Sequence, residues 1–363
     1  MSHRQLSAIV LAAGQGTRMR SARPKPLHML CGLPLVRYVL DAVAGCDADR
    51  AVVVVGFGAD LVIKSLQEDA GDLPLEFVEQ RVQRGTGDAV AVGLTGLPDD
   101  LDDDAEDGDV MVLPGDTPLV RPESLAAVVL EHRLSGAACT LLTARLDDAS
   151  GYGRVVRDRD GRVRRIVEHR DASEAELAID EVNTGIYLFR RGLLAPALRR
   201  IAPDNAQAEL YLTDVVAVLA EAGHPVVSLA AADPDETRGV NDRSQLAVAE
   251  AELRRRTNER WMREGVTLVD PAATYIDATV TLAADVTVFP GTMLRGATTV
   301  GTGSEIGPGA RLTDTAVGER ARIGESVATL AEIGDDAVVE PFAVLEPGTR
   351  VPAGGRIGPS SAG

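Results

Sequence analysis

Short apolar runs alternate with amphipathic stretches through the first two thirds of the chain. Ala8 to Ala13, Ala51 to Val55 and Val110 to Leu113 are uninterrupted apolar segments of strand length, suited to burial on both faces. Between them, Leu35 to Ala44 and Asp88 to Leu97 carry helical patterns. This order predicts an α/β layer fold with a largely parallel sheet, in which ligands bind beyond the carboxyl ends of the strands.

The segment from Asn241 to Gly265 reads as one long helix, with Asp242 or Ser244 as its cap and Gly265 as its end, connecting two domains. Past Gly265 the period changes to six. Aliphatic residues fall at Ile276, Leu282, Val288, Leu294, Val300, Ile306 and Leu312, then again at Ile333, Val339, Leu345, Val351 and Ile357. Val317 and Ile323 keep the spacing but are shifted in phase, which suggests a distorted corner or a small insertion. Glycine follows the aliphatic residue at positions such as Gly301, Gly307, Gly318 and Gly324, where a tight corner needs it. Coils stacked to bury one aliphatic column, a parallel β-helix, account for the pattern. The expected organisation is a first domain over 1–240, a connecting helix over 241–265 and a β-helix over 266–363.

Composition narrows the chemistry. The chain has 363 residues with 37 Lys plus Arg against 55 Asp plus Glu, a formal net charge of −18 that repels a nucleic-acid backbone. An anionic small molecule therefore needs locally concentrated positive charge or a metal. Only Lys25 and Lys64 are lysines. The acidic stretch from Asp99 to Asp109 holds eight carboxylates and reads as a solvated loop. Cys31, Cys46 and Cys139 lack metal-ligand spacing and read as packed, reduced thiols of a cytoplasmic protein. No signal peptide is expected at the start and no segment has membrane-spanning length, so neither nucleic acid nor a membrane is expected as a partner.

The first apolar run leads directly into LAAGQGTRM (residues 11–19), a glycine-rich loop whose amides can approach phosphate oxygens. Alone this is compatible with a plain strand-to-helix turn. Arg18 and the Pro24-Lys25-Pro26 segment add two cations just downstream.

LAAGQGTRM followed by RPKPLHMLCGLPL resembles the sugar nucleotidylyltransferases, and most closely the family of bifunctional N-acetylglucosamine-1-phosphate uridylyltransferase/glucosamine-1-phosphate acetyltransferases. Further motifs keep the family's order: Gln80 with Gly85-Thr86-Gly87, Gly115-Asp116, Gly151 to Arg154, Ile166 to His169 with Asp171-Ala172, Asn183-Thr184-Gly185, Asp204 to Gln207 with Tyr211 to Asp214, and Gly239 to Asn241. The resemblance implies a Rossmann-like nucleotidylyltransferase domain with a mostly parallel sheet, then a short left-handed parallel β-helix that assembles a homotrimer. It also implies that UTP and N-acetylglucosamine 1-phosphate are joined with release of pyrophosphate and with Mg²⁺ as cofactor.

Residue roles follow from the same resemblance. Leu11, Ala12, Ala13, Gly14, Gly16, Thr17 and Gly115 would lie along the nucleotide, and Gln80, Gly85 and Thr86 would read the uracil edge. Arg18 and Lys25 would stabilise phosphate charge, and Asp116 and Asn241 would hold Mg²⁺. Gly153, Glu168, Asn183 and Thr213 would hold the sugar. His28 and His169 are expected to serve local packing or hydrogen bonding.

Three departures qualify the resemblance. Pro114 stands where many relatives carry Tyr, no histidine follows His224, and Glu346 falls where the family motif has Arg. The expectation is therefore a form lacking the acetyltransferase part. A different sugar or nucleotide, such as glucose 1-phosphate or dTTP, and a non-catalytic regulatory or scaffold homologue stand as alternatives.

Overall fold

The computed structural model describes residues 4–68, 71–98 and 108–359, which fall into two compact units. The first comprises residues up to 28 and 34–245, and the second comprises 29–33 with the chain from 246 onward.

The first unit opens with β1 (Leu6–Ala12); the chain then passes through a hairpin of β2 (Met29–Leu30) and β3 (Leu33–Pro34), whose residues 29–33 group with the second unit. Helix α1 (Leu35–Ala44), strand β4 (Arg50–Val55), helix α2 (Ala59–Glu68) and strand β5 (Leu75–Glu79) come next. Helix α3 (Thr86–Leu94), strand β6 (Asp109–Pro114), helix α4 (Pro122–Ser135) and strand β7 (Cys139–Arg145) continue the alternation. Strands β8 (Arg154–Arg157), β9 (Val163–Val167) and β10 (Glu181–Arg190) enclose a short α5 (Glu174–Leu177). Helices α6 (Arg191–Leu198) and α7 (Asp214–Glu221) and strand β11 (Val226–Ala230) complete the sheet layer.

The sheet runs β11-β7-β10-β6-β1-β4-β5. Parallel pairing of β6, β1, β4 and β5 forms one half, and β10 runs antiparallel to both β6 and β7. Each central strand is apolar on both faces, as the uninterrupted runs predict. Ala8, Val10, Val53 and Val55 enter one core with α1 and α4. Ile9, Val52 and Val54 enter the other with α3, α6 and α7. The carboxyl ends of β1, β6 and β4 therefore open at one rim.

The acidic stretch lies largely outside the described residues, but its last member corrects the solvated-loop expectation. Asp109 begins β6 with 1% of its surface exposed and pairs with Arg4 at 3.0 Å and Arg133 at 3.1 Å. A buried carboxylate is tolerated because two guanidinium groups and His132 surround it.

Helix α8 (Arg243–Arg263) begins as expected, with Asp242 Oδ1 accepting from the Gln245 amide at 2.8 Å. In the second unit, short strands stack into parallel sheets of six, five and five strands. Every aliphatic position of the six-residue pattern points inward, from Ile276 through Val351. The phase shift is a shortening rather than an insertion: Leu312 to Val317, Ile323 to Ala328 and Ala328 to Ile333 each span five residues instead of six. Ala328 fills the column where a search for large aliphatics finds a gap. A second inward column, two residues earlier, uses small side chains such as Thr298, Ser304, Ala310, Thr315 and Ala321. Their hydroxyls bond corner carbonyls, as Ser304 Oγ does to Gly318 O at 2.8 Å.

Candidate active site

The rim formed by β1, β6 and the loops beside them carries a cleft of about 350 Å³. Leu11 to Gly14 form one wall and Pro114 to Asp116 the next, because β1 and β6 pair with Leu11 opposite Pro114. Gly115 donates its N–H to Leu11 O at 2.9 Å, and a Cβ there would lie 3.1 Å from that carbonyl, so the strand ends close tightly at this point.

Gln80, Gly85 and Thr86 line the cleft at the mouth of β5 and the start of α3. Gln80 is buried, and its carboxamide nitrogen donates to Asp88 Oδ2 at 2.8 Å and Gly85 O at 3.3 Å. Both N–H groups are thereby committed. The carbonyl oxygen is left as the acceptor for a ligand. Thr86 Oγ1 accepts from the Leu212 amide at 3.0 Å, tying α3 to the segment before α7.

Glu168, Asn183 and Thr213 line the same cleft. Asn183 sits at a β-bulge in β10, where the pairing with β7 slips before Tyr187. Its Nδ2 donates to the Tyr187 hydroxyl at 2.7 Å, and its Oδ1 accepts from the Gly185 amide at 3.2 Å. Glu168 accepts from Thr213 Oγ1 at 3.1 Å. Burial pushes the Glu168 carboxyl above the ordinary range, opposed by the Thr213 bond and reinforced by Asp171 and Asp214. Gly153 lines no part of the cleft surface. It packs behind, where an added Cβ would meet Glu168 Oε2 at 3.5 Å.

Lys25 enters the cleft from a 3₁₀ turn (Lys25–Leu27). Its ammonium donates to Asp116 Oδ2 and, at 2.7 Å, to Asn241 Oδ1. Asn241 thus joins the site through Lys25 rather than through the cleft wall. Gly16 lies beneath the lysine stem, whereas Thr17 and Arg18 line an adjoining recess with Gly151, His169, Arg170, Gln207 and Tyr211. Glu168 borders both spaces. His28 is buried, and burial together with Arg243 and Arg23 lowers its pKa. His169 lines the recess.

Sequence reasoning passed over three supporting residues. Gln83 donates to Ala13 O at 2.7 Å and pins the glycine-rich loop. Asp88 and Tyr187 orient Gln80 and Asn183. Gln83 and Asp88 flank the Gly85 motif and were visible there, but only the bulge brings Tyr187 under Asn183, and Gly185 was its single signal.

Among the described residues no cluster of three or more His, Cys, Asp or Glu side chains could hold a metal. Asp116 and Asn241 instead offer two hard oxygens already converging on a cation. That donor set suits Mg²⁺, which takes few protein ligands and completes its shell with phosphates and water.

The sequence profile of the nucleotidyl transferase family matches residues 7–237. The bifunctional protein GlmU of Streptomyces avermitilis is 48% identical over 356 residues, covering 98% of this chain and 72% of the relative. The GlmU of Streptomyces coelicolor gives the same figures, and that of Brevibacillus brevis is 46% identical with 98% and 74% covered. A nucleotidyltransferase sheet with the cleft at its strand ends, a stacked β-helix after it and identity of this extent along both parts have one reading: the chain belongs to the GlmU family and is a nucleotidyltransferase.

Proposed function

We propose that the protein joins UTP to N-acetylglucosamine 1-phosphate and releases pyrophosphate. The observation that carries this reading is the convergence of Lys25, Asp116 and Asn241 beside one cleft that Gln80, Glu168 and Asn183 also line. The Gln80 carbonyl suits the ring N–H of uracil, with backbone groups of Gly85 and Thr86 beside it. Glu168 and Asn183 suit sugar hydroxyls and the acetamido group, and the Glu168 to Ala172 stretch favours N-acetylglucosamine.

A phosphate oxygen of the sugar phosphate attacks the α-phosphorus of UTP, the bond to the β-phosphate's bridging oxygen breaks, and pyrophosphate departs. That oxygen is already a competent nucleophile, so no Ser, His or Cys base takes part. The protein positions the two substrates and neutralises charge. Lys25 meets the phosphate charge in the cleft, and Arg18 meets it from the adjoining recess. Asp116 and Asn241 would hold Mg²⁺, which supplies Lewis-acid neutralisation of phosphate oxygens when bound.

The β-helix serves assembly as a homotrimer in this reading. One of its sheets presents Tyr275, Met293, Val327 and Val344 outward around a central Arg311, with Leu330 and Phe342 also exposed at corners. The six-stranded sheet presents mainly Thr287, Glu305, Arg322 and Arg356 instead, and the remaining one Thr281, Glu332 and Arg350. An apolar face of this kind is better buried against copies of itself. Acetyl transfer is not assigned to these 363 residues, since no histidine follows His224 and Glu346 replaces a cation.

Pyrophosphate release across UTP and dTTP, each with N-acetylglucosamine 1-phosphate, glucose 1-phosphate and glucosamine 1-phosphate, tests the reading. The first pair should turn over fastest. Faster release with another pair reassigns the substrates, and none with any pair supports a regulatory role.

A further inference from the structure

The two oxygens suited to a metal are already engaged. Lys25 Nζ bonds Asp116 Oδ2 and Asn241 Oδ1 together, so one ammonium stands where both oxygens converge. The Lys25 and Asp116 side chains are 12% and 25% exposed, which leaves their charges weakly screened.

The oxygen-bearing segments are fixed to one another. Val240 donates its N–H to Asp116 O at 2.8 Å, and the Asn241 amide donates to Gln245 Oε1 at 2.7 Å. The lysine is the mobile member, since its head rides on a flexible four-carbon stem. A divalent ion bound at contact distance to both oxygens needs the place that this ammonium holds, and two cations there repel.

We propose that Lys25 is a stand-in cation: in the nucleotide-free enzyme it holds the Asp116–Asn241 pair and keeps divalent metal out. The phosphates of an arriving nucleotide then draw the ammonium away, and metal enters with the nucleotide rather than before it. The inference rests on the reading of Asp116 and Asn241 as metal ligands. It also explains how a protein of net charge −18 receives a triphosphate, because Asp116 meets it already neutralised. Coupling of this kind is reciprocal, so nucleotide and metal each favour the other.

Mn²⁺ binding to the nucleotide-free 363-residue protein, read by electron paramagnetic resonance, tests the inference without any turnover. Lys25→Met should tighten Mn²⁺ by about tenfold or more, because a like charge is removed from the site. Lys25→Arg should bind Mn²⁺ as weakly as the wild type. Lys25→Gln should repeat the tightening if Lys25→Met disturbs folding, which thermal melting reveals. Equal affinity in wild type, Lys25→Met and Lys25→Gln overturns the stand-in role and leaves the ligand pair intact. Tight binding by Lys25→Met that survives added Asp116→Asn overturns the ligand pair itself, and the inference with it.

Discussion

Gly16 and Lys25 are fitted to one another: a Cβ on Gly16 would lie 2.7 Å from the Lys25 Cβ, and Gly16 has φ +60°. Gly16→Ala therefore strains the loop and pushes the lysine stem aside. The left-handed backbone costs an alanine roughly 1–2 kcal/mol, while displacement of a phosphate-binding cation by about 1 Å costs about 10²-fold in rate. The expected outcome is a turnover number lowered far more than the melting temperature. Steady-state pyrophosphate release beside a thermal melt checks it, and an unchanged rate removes the fit from the mechanism.

In the proposed reaction, Glu168 ties sugar binding to pH. Its carboxyl is raised by burial, so ionising it opposes folding: its contribution to stability is present below the ordinary carboxylate range and lost as pH rises through the raised value. Sugar binding has the opposite sign, because only the carboxylate accepts hydrogen bonds with both oxygens. The KM for the sugar phosphate should climb as pH falls through the raised value, at a pH above the ordinary carboxylate range. Glu168→Gln should flatten that climb, raise KM at neutral pH and melt higher there. A KM that ignores pH in the wild type would remove Glu168 from sugar recognition.

The apolar β-helix face predicts a concentration-independent trimer. Phe342→Asp combined with Val344→Glu places charge on that face without touching an inward column, since both side chains are more than half exposed, at 69% and 54%. Light scattering should show the wild type as a trimer and the double variant as smaller species with unchanged circular dichroism. A monomeric wild type at micromolar concentration sinks the assembly reading.

Acetylation of glucosamine 1-phosphate should not occur with these 363 residues. Taking a proton from an amine during acyl transfer needs a base whose pKa lies near working pH, and the β-helix column and corners offer no histidine for it. Glu346 is exposed, and by resemblance it falls where the family motif has Arg, so an acceptor phosphate there would meet a like charge. Thiol release from acetyl-CoA that depends on glucosamine 1-phosphate would overturn this.

What the sequence made legible follows from the range of the interactions involved. The runs around Ile9, Val53 and Val112 announce buried strands because each is apolar on both faces, and the six-residue column announces itself because every coil repeats one inward position. The cleft residues Gln80, Glu168 and Asn183 were reached by motif. Their orientation was not, since Asp88, Thr213 and Tyr187 set it through side-chain bonds that no spacing encodes. Asp109 was hidden for a related reason. Its neighbours in sequence are acidic, and its partners Arg4 and Arg133 come from elsewhere in the fold. Ala328 escaped because three intervals, spread over two coils, drop a residue, a change that leaves stacking intact but breaks a fixed count.

The burial of all three cysteines has a practical consequence. Cys46 and Cys139 lie in the first unit and Cys31 groups with the second. Burial lifts each thiol away from the reactive thiolate, to about 11 for Cys46 and well above the ordinary value for Cys139; Cys31 is raised too, with Glu250 adding to the effect. Native protein should therefore resist alkylation and mild oxidants, and each sulfur becomes a chemical clock. The rate at which Cys31 is labelled times the opening of one unit, and the rates of Cys46 and Cys139 time the opening of the other.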